Sequence, residues 1–131
     1  MQTTVVRVGT IYIPVQDVQR AVDWYENHLG ASTNYQDHDK AIIEVANLSL
    51  FLVKAEQKQS ANFIDCYGRE RFSLTFEVDG EEDLRSLHSE LRDKGVQTSE
   101  VEDRGHPGVN FVFQDADGNL FDVWSELSPA Y

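Results

Sequence analysis

The residues with the clearest chemical potential lie in the stretch Leu120 to Trp124, where an acid and a tryptophan stand two positions apart. In an extended strand residues two apart share a face, so Leu120, Asp122 and Trp124 point one way and Phe121 and Val123 the other. An unpaired carboxylate on the core face of a sheet costs several kcal/mol of desolvation. That face should therefore line a cavity, hold a cation or meet water. A second alternating stretch, Phe72 to Val78, puts Ser73, Thr75 and Glu77 on a common face. His106 lies in the loop Asp103 to Gly108, from which a ring can reach the mouth of a cleft.

Other reactive residues point to structure or solvent. His28 and His88 fall on helical patterns with no second ligand four residues away, and His38 sits between Asp37 and Asp39 in a turn. The single cysteine, Cys66, has no thiol partner and no neighbouring base, which fits a reducing compartment and an incidental thiol.

The elements that must position these residues follow from periodicity. Gly9 to Val15 alternates, with Ile11, Ile13 and Val15 opposite Thr10, Tyr12 and Pro14. Asp17 offers an N-cap, Val18, Val22, Tyr25 and Leu29 recur at helical spacing, and Gly30 stands at the C-terminal cap, predicting a helix over 17–29. Strands are predicted over 31–35, 40–46 and 48–54. Residues 55–70 read as a polar linker pinned by Phe63, Ile64 and Tyr67. The pattern then begins again: a strand at 72–78, a helix capped by Asp79 or Gly80 and carrying Leu84, Leu87 and Leu91, and strands near 96–101, 109–114 and 119–125. Thr10 to Val15 lies over Ser73 to Val78 at an offset of 63, Gly30 over Gly95 at 65, and Asn47 to Leu50 over Asn119 to Asp122 at 72. This is the signature of a duplicated unit. The expected fold is α+β: two βαβββ modules in one domain, about 5–54 and 71–127, forming a curled mixed sheet around a cleft with helices on its outer face.

The strings Gly9 to Gly30, Phe72 to Val78 and Asp115 to Asp122, in this order, resemble the vicinal oxygen chelate superfamily of glyoxalases, bleomycin and fosfomycin resistance proteins and extradiol dioxygenases. The resemblance implies metal-ligand positions at Thr10, near Leu50, at Ser73 and at Asp122. One of these four is a carboxylate, where the family's enzymes place His, Gln or Glu. The resemblance also implies a homodimer in which a cleft can draw on both chains.

With the implied metal site dismantled, no cofactor is expected. The predicted ligand-binding residues are Thr10, Tyr12, Leu50, Leu52, Ser73, Thr75, Glu77, His106, Phe113, Asp122 and Trp124, with Leu48 and Phe111 beside them. Apolar and aromatic walls with a few acids suit a flat, neutral-to-cationic small organic molecule. The expected function is metal-free sequestration. The alternative is a metal-dependent lyase, isomerase or dioxygenase using Asp122, Glu77 and His106.

Composition bounds these readings. In 131 residues, 23 acids face 11 Lys and Arg, a formal net charge of −12. Phosphate-backbone binding is disfavoured, so no nucleic-acid partner is expected. No stretch approaches a membrane span, and the first residues lack the long apolar run of a signal peptide. A cytoplasmic protein that leaves membranes alone is the expectation.

Overall fold

The computed structural model describes residues 4–129. Two compact units divide the chain, Met1–Ser60 and Ala61–Tyr131. The fold is α+β, built from curled mixed sheets in βαβββ modules.

In the first unit the order is β1 (Thr10–Val15), α1 (Val18–Leu29), β2 (Ser32–Gln36), β3 (Lys40–Val45) and β4 (Leu48–Lys54). The strands form one sheet in the order β1-β4-β3-β2, with β1 parallel to β4 and the rest antiparallel. Helix α1 starts where predicted: the Asp17 side chain accepts from the Arg20 amide at 2.9 Å. It ends at Gly30, whose left-handed φ of 66° turns the chain so that the Ala31 amide donates back to the Tyr25 carbonyl at 3.2 Å. Val18, Ala21, Val22 and Tyr25 are buried, as are Ile13, Val15, Ala41, Ile43, Val45, Leu50 and Leu52. Together they are this unit's core.

Leu50 and Leu52 are thus core residues, a correction to their assignment as ligand-binding. The ladder pairs Thr10 with Ser49 and Tyr12 with Phe51, so Ser49 and Phe51 share the open face with Thr10 and Tyr12. Tyr12 stacks on Phe51 with centroids 4.7 Å apart. An offset of 72 between the halves is one residue too long here, and a one-residue slip exchanges the two faces of a strand. The counterpart of Asp122 in the first unit is Phe51.

The second unit opens with a short hairpin, β5 (Phe63–Ile64) and β6 (Glu70–Arg71), in the segment read as linker. Phe63, Ile64 and Tyr67 are exposed and do not pin it. Polar contacts tie it down instead: Asn62 Nδ2 donates to the Gly118 carbonyl at 2.8 Å, Asn62 Oδ1 accepts from the Leu120 amide at 2.9 Å, and Asn119 Oδ1 accepts from the Ala61 amide at 2.8 Å. Strand β7 (Thr75–Glu77) and helix α2 (Glu81–Asp93) follow, then β8 (Asn110–Gln114) and β9 (Leu120–Trp124) in the sheet order β7-β9-β8. The strand expected over 96–101 reduces to isolated bridges at Thr98 and Glu102. Between them the Ser99 hydroxyl, rather than a backbone carbonyl, accepts from the Val112 amide at 2.8 Å.

The core of this unit gathers Leu84, Leu91, Phe111, Phe113, Phe121 and Val123. Phe113 is therefore corrected from ligand-binding to core, as is its neighbour Phe111. Phe113 lies 5.5 Å from Phe121 and 6.3 Å from Phe76 between ring centroids. The face assignment has a direct test in the first unit. Leu50→Ala should lower unfolding free energy by about 2–5 kcal/mol in a denaturant titration, whereas Ser49→Ala, on the open face, should cost under about 1 kcal/mol.

Candidate functional site

The open face of the β7-β9-β8 sheet carries the chemistry. Parallel pairing sets Thr75 beside Asp122 and Glu77 beside Trp124, and antiparallel pairing sets Val112 opposite Asp122 and Asn110 opposite Trp124. A pocket of about 650 Å³ opens there, lined by Thr75, Glu77, Asn110, Asp122, Trp124 and residues of the preceding loop and following tail.

Asp122 is 3 % exposed and occupies the floor. Its Oδ2 accepts from the Thr75 hydroxyl at 3.0 Å and from Asn110 Nδ2 at 3.1 Å. Its Oδ1 lies 3.1 Å from Arg104 Nη2, an ion pair. Arg104 is shared, since its Nε and Nη2 also donate to Glu102 Oε1 at 3.0 and 2.8 Å. Asn110 must turn its amide nitrogen toward the carboxylate, which leaves Oδ1 directed elsewhere. Asn110 Oδ1, buried, consequently finds no hydrogen-bond donor among the described residues, while Asp122 Oδ1 has the Arg104 ion pair alone. The orphaned amide oxygen costs about 1–3 kcal/mol while unsatisfied.

The mouth is aromatic. Trp124 Nε1 donates to the Pro107 carbonyl at 2.9 Å, and the His106 ring meets the indole edge-on with centroids 5.8 Å apart. His106 Nδ1 lies 2.9 Å from the same carbonyl. A carbonyl only accepts, so Nδ1 carries a hydrogen and donates. Gly108 makes this loop geometry possible: at φ +79°, a Cβ there would meet Ser125 Oγ at 2.6 Å and Trp124 Nε1 at 2.9 Å. Glu77 receives the Ser128 hydroxyl and, at 2.9 Å, the Ser128 amide. These two donors hold its carboxyl below the usual carboxylate range, so it is anionic at neutral pH. Three acids, Glu77, Asp122 and Glu126, thus line the pocket against the single cation Arg104.

Of the predicted site residues, the structure brings together Thr75, Glu77, His106, Asp122 and Trp124. Ser73 is exposed just ahead of β7 and outside the lining, while Thr10 and Tyr12 lie on the open face of the first unit's own sheet. Sequence reasoning missed Arg104, Pro107, Asn110, Glu126 and Leu127. A carboxylate expected on a buried face requires a cation, and Arg104 is the cation in the adjoining loop; that signal could have found it.

The metal implied by the family resemblance does not fit these residues. Leu50 is buried in apolar core, Thr10 and Ser73 are weak hydroxyl donors, and Asp122 is already engaged by Arg104, Thr75 and Asn110. Among the described residues no three His, Cys, Asp or Glu side chains converge as a ligand set. No helix among them is long and apolar enough to cross a membrane.

A family model described as the Glyoxalase/Bleomycin resistance protein/Dioxygenase superfamily matches residues 7–123. The fosfomycin resistance protein FosX from Listeria monocytogenes is similar in structure, with a TM-score of 0.78 at 17% identity over 95% of this chain and 96% of that one. TnmS3, an antibiotic binding protein from Streptomyces sp. CB03234, gives 0.71 at 19% identity over 94% and 98%. Lactoylglutathione lyase from Agrobacterium tumefaciens gives 0.72 at 11% identity over 93% and 95%. No curated protein sequence matches the chain.

If Arg104 compensates Asp122, removing the cation strands a buried charge. Arg104→Met should destabilise the fold by about 1.5–3 kcal/mol in chemical denaturation, and adding Asp122→Asn should recover much of that loss in a double-mutant cycle.

Proposed function

The chain belongs to the Glyoxalase/Bleomycin resistance protein/Dioxygenase superfamily, and within it we propose a metal-free binding protein that sequesters a flat, neutral-to-cationic organic molecule carrying N–H donors. The observation that carries this reading is a buried acceptor with no donor, Asn110 Oδ1, beside the ion-paired Asp122 in the lining of a pocket walled by Trp124. A donor reaching Asn110 recovers desolvation that the fold has already spent. Trp124 supplies a stacking face, and Glu77 and Glu126 add negative potential that draws in a cation. His106 closes one side as an edge-on ring.

Sequestration needs a pocket and no reacting group. Asp122, the most buried acid of the site, is held by Arg104, Thr75 and Asn110. The similarity to TnmS3, an antibiotic binding protein, is in keeping with this reading. A homodimer belongs to the same proposal. Val5, Val6, Val8 and Tyr12 leave apolar surface exposed on the first unit, which an association between copies would cover.

Calorimetry with 9-aminoacridinium, a flat cation bearing N–H donors, tests the proposal. One-to-one binding is expected, weakened by about 0.5–2 kcal/mol in Trp124→Ala through loss of the cation–π face. Asp122→Asn should cost a further charge-assisted contact, about 1.5–3 kcal/mol. Mass spectrometry after prolonged incubation should return the compound unchanged. A product accumulating beyond one equivalent, or affinity indifferent to both substitutions, would sink the reading.

A further inference from the structure

The same open face holds a second recess, on the opposite side of Arg104 from Trp124. It measures about 320 Å³, and its lining includes Arg69, Arg71, Phe72, Arg104, Val112 and Leu120. Val112 in this recess is the cross-strand partner of Asp122 in the other, so the two adjoin and share Arg104. We infer that this recess is an anion subsite, taking a carboxylate borne on a small planar or apolar body.

Charge makes the case first. The chain carries only 11 Lys and Arg against 23 acids, yet three arginines line this one recess. Two acids, Glu70 and Glu102, line it with them, and Arg104 is also paired with Asp122, so what the recess offers an anion is the spare N–H donors of Arg69 and Arg71. The recess around Trp124 shows the reverse, three acids to one base. Arg69 and Arg71 also share a single carboxylate behind the lining: Asp65 Oδ2 lies 3.2 Å from Arg69 Nε and 3.4 Å from Arg71 Nη1. One acid between two guanidinium groups leaves N–H donors for another anion, since each arginine carries five in a fixed fork.

Geometry supplies the rest. Phe72 carries two guanidinium groups against its ring, Arg71 at 5.1 Å and Arg104 at 5.8 Å from the centroid. Stacking on one ring restrains both cations before any ligand arrives, which lowers the ordering cost of binding. Val112 and Leu120, partly buried on the sheet, offer apolar contact to the ligand body beneath the charged rim. A bare inorganic anion would use the arginines alone. A carboxylate on a ring would use both, by a forked pair to a guanidinium and by packing on the two aliphatic side chains. The subsite does not depend on the ligand proposed for the Trp124 pocket.

The test is a titration of the full chain with benzoate, read by ligand-observed NMR and calorimetry. Benzoate is expected to bind one per chain, to weaken as sodium chloride rises, and to be displaced by acetate. Arg71→Met should weaken it at least about tenfold, the loss expected for a hydrogen bond to a charged group. Arg69→Met, on the exposed limb of the hairpin, should weaken it in the same direction. Both variants should keep wild-type circular dichroism and an unchanged titration by 9-aminoacridinium, which separates this subsite from the Trp124 pocket. Failure of benzoate to bind, equal binding of benzyl alcohol, or affinity indifferent to Arg71 and Arg69 would overturn the inference.

Discussion

A buried carboxylate must be compensated, and in this protein the compensation of Asp122 sets the character of the site. Arg104, Thr75 and Asn110 reach it from three different segments: the loop before β8, strand β7 and strand β8. Each contact fixes one segment against β9. Arg104 thereby divides the open face into an acidic, aromatic half and an arginine-bearing half. The same ion pair joins the loop before β8 to the buried end of Asp122.

The two units reach this point from one plan. Each sets the strand before its helix parallel to its last strand, with the helix connecting toward the return strands. The open faces nonetheless differ in kind. In the first unit the position corresponding to Asp122 is Phe51, stacked on Tyr12. The second unit answers with an acid, an amide and a hydroxyl on adjacent strands. A duplicated backbone therefore carries an aromatic face in one copy and a polar one in the other, and function follows the side chains rather than the fold.

Much of this was legible in the sequence, for identifiable reasons. Helix α1 was bounded by Asp17 and Gly30 because caps act locally. Asp122, Trp124, Thr75 and Glu77 shared a face because period-two alternation in short strands leaves no other arrangement. Leu50 and Leu52 were misplaced because Leu48-Ser49-Leu50-Phe51-Leu52 is apolar at nearly every position, so its two faces cannot be distinguished by hydrophobicity. Only the ladder with β1 decides between them. Phe113 required the register across the Asp115 to Asn119 turn, which pairs it with Phe121 and sends Val112 to the open side. Arg104 was invisible to periodicity because loop residues have none. It was open only to the argument that a buried acid needs a cation.

The central claim is that Asp122 is satisfied from within the protein and so is withheld from a metal. Calorimetric titration of metal-stripped protein with manganese, nickel, zinc and anaerobic ferrous ions tests it most directly. The account predicts no stoichiometric binding at micromolar concentrations, in the parent chain and in Asp122→Ala alike. One ion bound per chain at micromolar affinity, and lost on Asp122→Ala, would contradict it and show that Arg104 yields the carboxylate to a metal.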